Sequence, residues 1–423
     1  MRTIAPLVAI ASLAVLLTGC PKPKPPAPAP VEEVKDYTRP LPPGQLGLRK
    51  LTDPNDIPNF TSACINMGLM KESIDYSLDF LGKPSSKAYF PYGQITHEQA
   101  VASLKAFSAL ADQHLSPADM NAKIREQFDV YISVGWDMRG TVLFTGYYTP
   151  IFDASMTKTD KFRYPLYKAP ADLVKGPDGA ILGRRGADGQ ITAYPERKEI
   201  ESSNMLAGLE LVYVSDPFEV YIAHVQGSAK LRLPDGNMIT VGYTANNGHE
   251  YKSIAKEMVS DGKIPKEKLS LHAMIDYFKL HPDEAGEYIG RNPRFVFFAQ
   301  SEGGPRGCLN EPVTPRRSIA TDKSIFPRAC LAFIATKLPW PMKDGIEEMN
   351  YTGFALDQDA GGAIRAPGRC DVYMGVGEQA GELAGRTQQE GRLYYLFLKP
   401  AAMTPPVLPA MDAGDANLPP AQP

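Results

Sequence analysis

The chain has 423 residues, 43% of them hydrophobic and 22% charged, which supports a substantial core in two or three domains and excludes a disordered chain. Its 45 basic and 48 acidic residues leave a formal charge of −3, which excludes a nucleic-acid binder that relies on bulk basicity. Of 39 prolines, nine fall in residues 21–43 and seven in 400–423, so the middle of the chain has ordinary globular usage between two proline-rich ends.

Arg2 precedes a mostly apolar run from Ile4 to Leu17. That run is too short for a bilayer span of about 20 residues and suits the core of a secretory signal. Leu17-Thr18-Gly19-Cys20 follows, the pattern of a bacterial lipobox, so residues 1–19 are expected to be removed and Cys20 to be acylated. Several acyl chains anchor far more firmly than one. Pro21 stands beside Cys20 where no acidic residue does, which points to the outer membrane, facing the periplasm of a Gram-negative cell. Residues 20–45 read as a lipidated cysteine and a polyproline spacer, extended at about 3.1 Å per residue. Cys64, Cys308, Cys330 and Cys370 remain, an even number in an oxidising compartment. One or two disulfides are expected, with the pairing open. No C-x-x-C spacing occurs and the histidines are scattered, so no metal site and no cofactor is expected.

Along the body, Thr96-His97-Glu98-Gln99 is a capping box that opens a helix with an apolar face at Val101, Leu104, Ser108 and Ala111. Thr141-Val142-Leu143-Phe144-Thr145 reads as a strand ending in Gly146-Tyr147-Tyr148-Thr149-Pro150. Asp178-Gly179, Asp188-Gly189 and Asp235-Gly236 are hairpin turns. Phe218, Val220, Ile222 and Val225 read as a buried strand. Leu271, Met274, Ile275 and Phe278 fall at helical spacing. Further strands are expected at 295–298, 331–335 and 393–398. Strands dominate, so the body is expected to be mainly β, of barrel or sandwich kind, with few helices.

No nucleophile elbow, P-loop, H-E-x-x-H or dinucleotide fingerprint is present. The unusual stretch runs from Phe354 to Tyr373, with Asp357, Asp359 and Asp371 around a Gly361-Gly362 pair. Paired glycines let a backbone turn sharply or approach a ligand. A carboxyl among apolar and aromatic residues has a raised pKa, which suits a general acid, and glycosidic cleavage needs such a group. The competing reading of such aspartates is turn capping.

The segment resembles the three-aspartate domain of the membrane-bound lytic murein transglycosylase A family. The resemblance rests on Ser318-Ile319-Ala320-Thr321-Asp322, Asp359-Ala360-Gly361-Gly362-Ala363-Ile364 and Asp371-Val372-Tyr373. Gly375-Val376-Gly377-Glu378, Leu383-Ala384-Gly385-Arg386 and Gly391-Arg392-Leu393-Tyr394 follow. Upstream, Gly146-Tyr147-Tyr148-Thr149-Pro150, His224-Val225-Gln226-Gly227-Ser228, Gly248-His249-Glu250-Tyr251 and Asn292-Pro293 match in order. The resemblance implies a double-psi β-barrel from 46–151 and 304–399. A second β-rich domain, 152–303, is inserted into it, with a glycan groove between the two and a disordered tail at 400–423. It implies cleavage of the bond between N-acetylmuramic acid and N-acetylglucosamine, with closure of a 1,6-anhydro ring. Asp371 matches the catalytic position, and Asp322 and Asp359 match its supporting carboxylates, more for structure and orientation than for charge.

Weaker expectations attach to Tyr148 and Thr149 as groove residues, Gln226 and Ser228 as partners of sugar acetamides, and Gly361 and Gly362 as a close approach to substrate. His224 reads as a packed histidine and Arg365 as a solvated turn arginine, with a muramic or peptide carboxylate as its alternative partner. The expected partners are peptidoglycan strands and the outer membrane through Cys20; no nucleic acid is expected, and the protein is expected to be a monomer. The main alternative is a wall-binding lipoprotein without catalysis. A hydrolase using Asp359 with Asp371 ranks next, and an aspartic-protease dyad last, since it lacks Asp-Thr-Gly and Asp-Ser-Gly.

Overall fold

The structure, a computed structural model, describes residues 34–176 and 179–403. The signal segment, Cys20, the proline spacer, Asp178 and the tail from 404 lie outside the described residues. After β1 (Leu48–Lys50) comes a helical layer of α1 (Thr61–Ile65), α2 (Met70–Gly82), α3 (His97–Ala111) and α4 (Pro117–Gln127). This helical layer packs beside a body that is mainly β, as expected.

Thr96 caps α3 by accepting from the Gln99 N–H at 3.1 Å. Gln99 does not complete the box: its side chain turns inward and donates to the Leu398 carbonyl at 2.8 Å. The buried face of α3 is therefore Ala100, Leu104, Phe107 and Leu110, and Val101, Ser108 and Ala111 are only half-buried. Ser116 and Pro117 start α4 by the same chemistry, a side-chain cap followed by proline at the first helical position.

The chain continues through β2 (Phe128–Ser133) and β3 (Val142–Thr149), then enters a second body. That body contains β4 (Ile151–Ser155), β5 (Tyr164–Tyr167), β6 (Leu173–Lys175), β7 (Ile181–Arg185), β8 (Ile191–Thr192), α5 (Arg197–Ser202), β9 (Glu210–Val214), α6 (Pro217–Gln226), β10 (Ser228–Arg232) and β11 (Met238–Asn246). α7 (Ile254–Ser260), α8 (Leu271–Leu280), α9 (Pro282–Gly290) and β12 (Val296–Ser301) complete it. The chain returns with β13 (Ser318–Ala320), β14 (Leu331–Met342), β15 (Gly345–Asp359), β16 (Arg369–Val376), α10 (Glu378–Arg386), β17 (Gln388–Leu398) and α11 (Pro400–Met403).

Among the described residues, β17, β14, β15, β13, β16 and β3 pair in that order, and β3 pairs again with β17, closing a six-stranded barrel. β17 divides its length between neighbours: its first half pairs with β3 and its second half with β2. Two neighbouring pairs, β13–β15 and β16–β3, are parallel, in keeping with the double-psi arrangement. The inserted body carries a sheet of order β12-β11-β10-β4-β9-β5 and a small sheet β6-β7-β8. Each body has its own core: Phe60, Phe107, Phe333 and Phe354 under the barrel, and Val212, Phe218, Phe278 and Phe298 in the insert. Asp188-Gly189 and Asp235-Gly236 lie at the β7–β8 and β10–β11 connections, as expected.

Two expectations are corrected. Residues 218–225 form helix α6, not a strand. Asp216 accepts from the Phe218 N–H, Pro217 occupies the first turn, and Gly227 takes the left-handed conformation that ends the helix. Phe218, Tyr221 and Ile222 are its buried face, while Val225 is 43% exposed. The four cysteines of the body are free thiols, with Cys64, Cys330 and Cys370 buried as small apolar residues.

The barrel interior is not wholly apolar. Asp357 on β15 is fully buried and accepts from Thr321 Oγ1 at 2.8 Å and Tyr395 OH at 2.6 Å, and it forms an ion pair with Lys323. Lys323 is only 6% exposed, so each charge depends on the other. Removing one partner of such a pair costs about 3–5 kcal/mol. Lys323→Ala is therefore expected to lower unfolding stability by about that amount in urea titration. A loss below about 1 kcal/mol would mean that water or Tyr395 satisfies Asp357 alone.

Candidate active site

Strand alternation sorts the residues of β3 and β16. Phe144 and Tyr148 point into the core, as do Cys370, Val372 and Met374. Thr145, Tyr147 and Thr149 take the other face of β3, and Asp371 and Tyr373 that of β16. The parallel register sets Asp371 opposite Thr145 and Tyr373 opposite Tyr147. The Tyr147 and Tyr373 rings lie 5.1 Å apart. Gly146 lets helix α10 pass close behind this strand, because a Cβ there would stand 2.7 Å from Ala384 Cα.

Asp371 is 17% exposed on its side chain. Its Oδ1 accepts from the Thr145 hydroxyl and lies 3.7 Å from Arg369 Nη2, which itself donates to Thr145 Oγ1 at 2.9 Å. Its Oδ2 has no protein partner among the described residues. Burial pushes the Asp371 carboxyl up to about 6, against the Arg369 guanidinium, which favours the ionised form, and with the help of the Asp359 charge. The group is thus a carboxyl that titrates near neutrality and has one oxygen free to carry the proton.

Asp359, at the end of β15, accepts from Tyr147 OH at 2.8 Å and from the N–H groups of Cys308 at 2.9 Å and Ala360 at 2.8 Å. Burial raises its pKa despite these donors. Asp322 is 7% exposed and accepts from Ser324 Oγ at 2.6 Å, Ser324 N at 3.1 Å and Ala366 N at 2.9 Å. It fixes its own turn to the loop before β16, a structural role. Asp359 does both jobs: it holds the Cys308 backbone and adds like charge near Asp371.

The other expected contacts divide. Tyr148 does not line a groove: its ring is 8% exposed and packs on Gly381, burial pushes its pKa up to about 12, and its N–H donates to Gln226 Oε1 at 3.1 Å. Thr149 and Ser228 are buried. Thr149 Oγ1 meets Ser228 Oγ at 3.1 Å and Tyr373 OH at 3.0 Å, so these hydroxyls tie the insert to the barrel instead of facing a ligand. Gln226 is half-buried and uses only its carbonyl oxygen internally. Gly361 forms the turn with Ile364, and Gly362 abuts Arg294 and Tyr251 of the insert. His224 is a packed histidine. Its Nδ1 lies 2.8 Å from the buried Arg197, and burial followed by that charge lowers its pKa well below the usual range, so it stays neutral.

Sequence reading did not select Thr145, Tyr147, Arg369 and Tyr373. Alternation could have found the strand residues: once Phe144 is assigned to the core, Tyr148 must share its face, and Thr145 and Tyr147 must face the carboxylates.

A closed barrel carrying a near-neutral carboxyl beside an inserted β-rich body defines a two-body β protein equipped for general acid and base chemistry. Residues 143–299 match the family model of the MltA specific insert domain, and 317–397 match that of the 3D domain. The chain is 31% identical over 278 residues to membrane-bound lytic murein transglycosylase A of Escherichia coli strain K12, covering 65% of this chain and 70% of that one. The Vibrio cholerae protein of the same name is 32% identical over 270 residues, covering 63% and 68%. The fold is similar to a membrane-bound lytic murein transglycosylase from Agrobacterium tumefaciens, with TM-score 0.69 and 25% identity over 84% of this chain and 99% of that one. It is also similar to E. coli MltA with bound chitohexaose, with TM-score 0.64 and 25% identity over 87% and 97%. The chain belongs to the membrane-bound lytic murein transglycosylase A family.

The raised pKa of Asp371 carries a stability cost with a definite sign. Below about pH 4 the carboxyl is protonated in folded and unfolded chains alike and nothing is lost. Between about pH 4 and 6 the unfolded chain releases the proton first, so stability falls as pH rises, by about 3 kcal/mol in full. Asp371→Asn is expected to be more stable than the parent by about 1–3 kcal/mol at pH 7.5 and equal to it at pH 4, as read by denaturant unfolding. Equal stability at both pH values would mean that Asp371 has an ordinary pKa.

Proposed function

We propose that this protein is a lytic transglycosylase that cleaves the β-1,4 bond between N-acetylmuramic acid and N-acetylglucosamine in peptidoglycan, forming 1,6-anhydromuramic acid in cell-wall turnover. The observation that carries the reading is Asp371, a carboxyl with its pKa near 6 and one oxygen unengaged, in a chain of this family. The relative with bound chitohexaose supports a glycan as the ligand.

In the proposed reaction, protonated Asp371 gives its proton to the glycosidic oxygen. The substrate's own 2-acetamido group stabilises the developing positive charge, since no second carboxylate is assigned as nucleophile. Ionised Asp371, held by Thr145 and Arg369, then takes the proton from the muramic C6 hydroxyl, and that oxygen closes on C1. One carboxyl serves both steps because they are sequential. Arg369 limits how far burial lifts the pKa, so the conjugate base remains accessible. Asp359 and Asp322 are positioning residues, and Gln226, Gly361 and Gly362 stand where the two bodies meet.

The proposed domains are a barrel from 46–151 and 304–399 with 152–303 inserted. Barrel strand β3 ends at Thr149 and insert strand β4 begins at Ile151, which supports the first limit. β12 of the insert ends at Ser301 and β13 of the barrel begins at Ser318, which supports the second. The proposed location is the periplasmic face of the outer membrane, through acylated Cys20, with the protein acting as a monomer. Among the described residues no helix is long and apolar enough to cross a membrane.

Purified sacculi incubated with residues 21–423 and analysed by muropeptide mass spectrometry are expected to yield 1,6-anhydromuramic ends, one water lighter than hydrated ends, and none with Asp371→Asn. Hydrated reducing ends would overturn the reading in favour of hydrolysis, and wall binding with no product would leave a wall-binding lipoprotein.

A further inference from the structure

The hydrogen bonds at Asp371 run in one direction. Arg369 stands two residues before Asp371 on β16, so both side chains leave the same face of the strand. Thr145 lies opposite Asp371 on β3, between the two. Arg369 Nη2 donates to Thr145 Oγ1 at 2.9 Å and stands 3.7 Å from Asp371 Oδ1. A guanidinium has donors and no acceptor, so Thr145 Oγ1 can only accept in that bond. A hydroxyl has a single hydrogen, and Thr145 gives it to Asp371 Oδ1. A proton on Oδ1 would meet that hydrogen head-on. Oδ2 has no protein partner among the described residues. The arginine has little freedom to turn away: its side chain is largely buried, and its Nε is enclosed without a partner among the described residues. The other titratable groups that act on Asp371 are Asp359, at the end of β15, and Tyr147 on β3, which donates to Asp359.

We infer that Arg369 and Thr145 are positioning residues that hold the acid proton of Asp371 on Oδ2. Arg369 fixes the direction of the Thr145 hydroxyl, and that hydroxyl occupies Oδ1. The inference rests on the function proposed above and assigns the order of its proton transfers to one oxygen. The proton leaves Oδ2 for the glycosidic oxygen, which takes the electron pair of the breaking bond to C1. It is replaced at Oδ2 by the proton of the muramic C6 hydroxyl as that oxygen bonds to C1. The carboxyl ends protonated on the atom where it began, and the Thr145 hydrogen bond is kept throughout. It strengthens when Asp371 is ionised, because a donor to a charged acceptor is the stronger kind. Without the hydroxyl, either oxygen can carry the proton, and part of the acid form presents it in the wrong place.

The test measures release of anhydro products from soluble peptidoglycan strands between pH 5 and 8, by residues 21–423 and four variants. Thr145→Val keeps the shape of the side chain and removes the hydroxyl. It is expected to lower kcat about 10- to 100-fold with KM within about threefold. Thr145→Ser restores the hydroxyl and is expected to stay within about threefold of the parent. Arg369→Met is expected to lower kcat in the same sense. Adding it to Thr145→Val costs no more than about threefold further, because both residues act through one hydroxyl. In both single variants the alkaline fall of kcat moves to higher pH, since each removes a group that favours ionised Asp371. Parent-like kcat in Thr145→Val, an equal loss in Thr145→Ser, or a loss carried by KM overturns the inference. So do fully additive losses in the double variant. Arg369→Met keeps the test valid if Thr145→Val misfolds, because the shift of its pH profile is read without the double variant, and an unmoved profile overturns the inference. Failure of the cleavage reading would appear separately, as no anhydro product from the unsubstituted protein.

Discussion

The parallel pairing of β16 with β3 is the constraint on which the rest of the structure depends. It sets Asp371 opposite Thr145 and Tyr373 opposite Tyr147. A slip of one residue would turn Asp371 into the core and Cys370 out of it. The same strand β3 closes the barrel against β17 and then, past Thr149 and Pro150, begins the inserted body. Closure, the placement of Asp371 and the joint between the bodies are thus consequences of one register. The buried hydroxyl chain of Tyr373, Thr149 and Ser228 reinforces it, since each group would be left unsatisfied if the bodies shifted.

The chemistry then rests on opposed effects at a single carboxyl. Burial lifts the Asp371 pKa and Asp359 lifts it further, while Arg369 draws it back. Without burial the group would be ionised and unable to give a proton. Without Arg369 its conjugate base would be harder to form. A carboxyl raised in this way lowers the stability of the native state near neutral pH. Deeper in the barrel, Asp357 shows the contrasting solution: a buried carboxylate neutralised by Lys323 and saturated by hydroxyls, which serves architecture.

Much of this was legible in the chain. The Gly361-Gly362 pair marks a loop, and the hairpin turns and strands at 295–298, 331–335 and 393–398 follow from local patterns. The three aspartates could be singled out because carboxylates rarely cluster between apolar strands. Two kinds of feature were not legible. Residues 218–225 satisfy both periods in part, and the strand reading overlooked the stronger end signals, Asp216-Pro217 and Gly227. The roles of Tyr148 and Thr149 depend on strand facing and on partners far along the chain, Gly381 and Tyr373, which spacing does not show. The four cysteines suggested disulfides from compartment alone, but their positions are set by packing within the core.

The central claim is that burial in this register makes Asp371 a carboxyl that titrates near neutrality. Carbon-13 NMR titration of the Asp371 carboxyl, assigned by comparison with Asp371→Asn, tests it most directly. A midpoint near pH 6 is predicted, moving lower in Asp359→Asn as the like charge is removed. A midpoint near the ordinary aspartate value of about 4 would contradict the account.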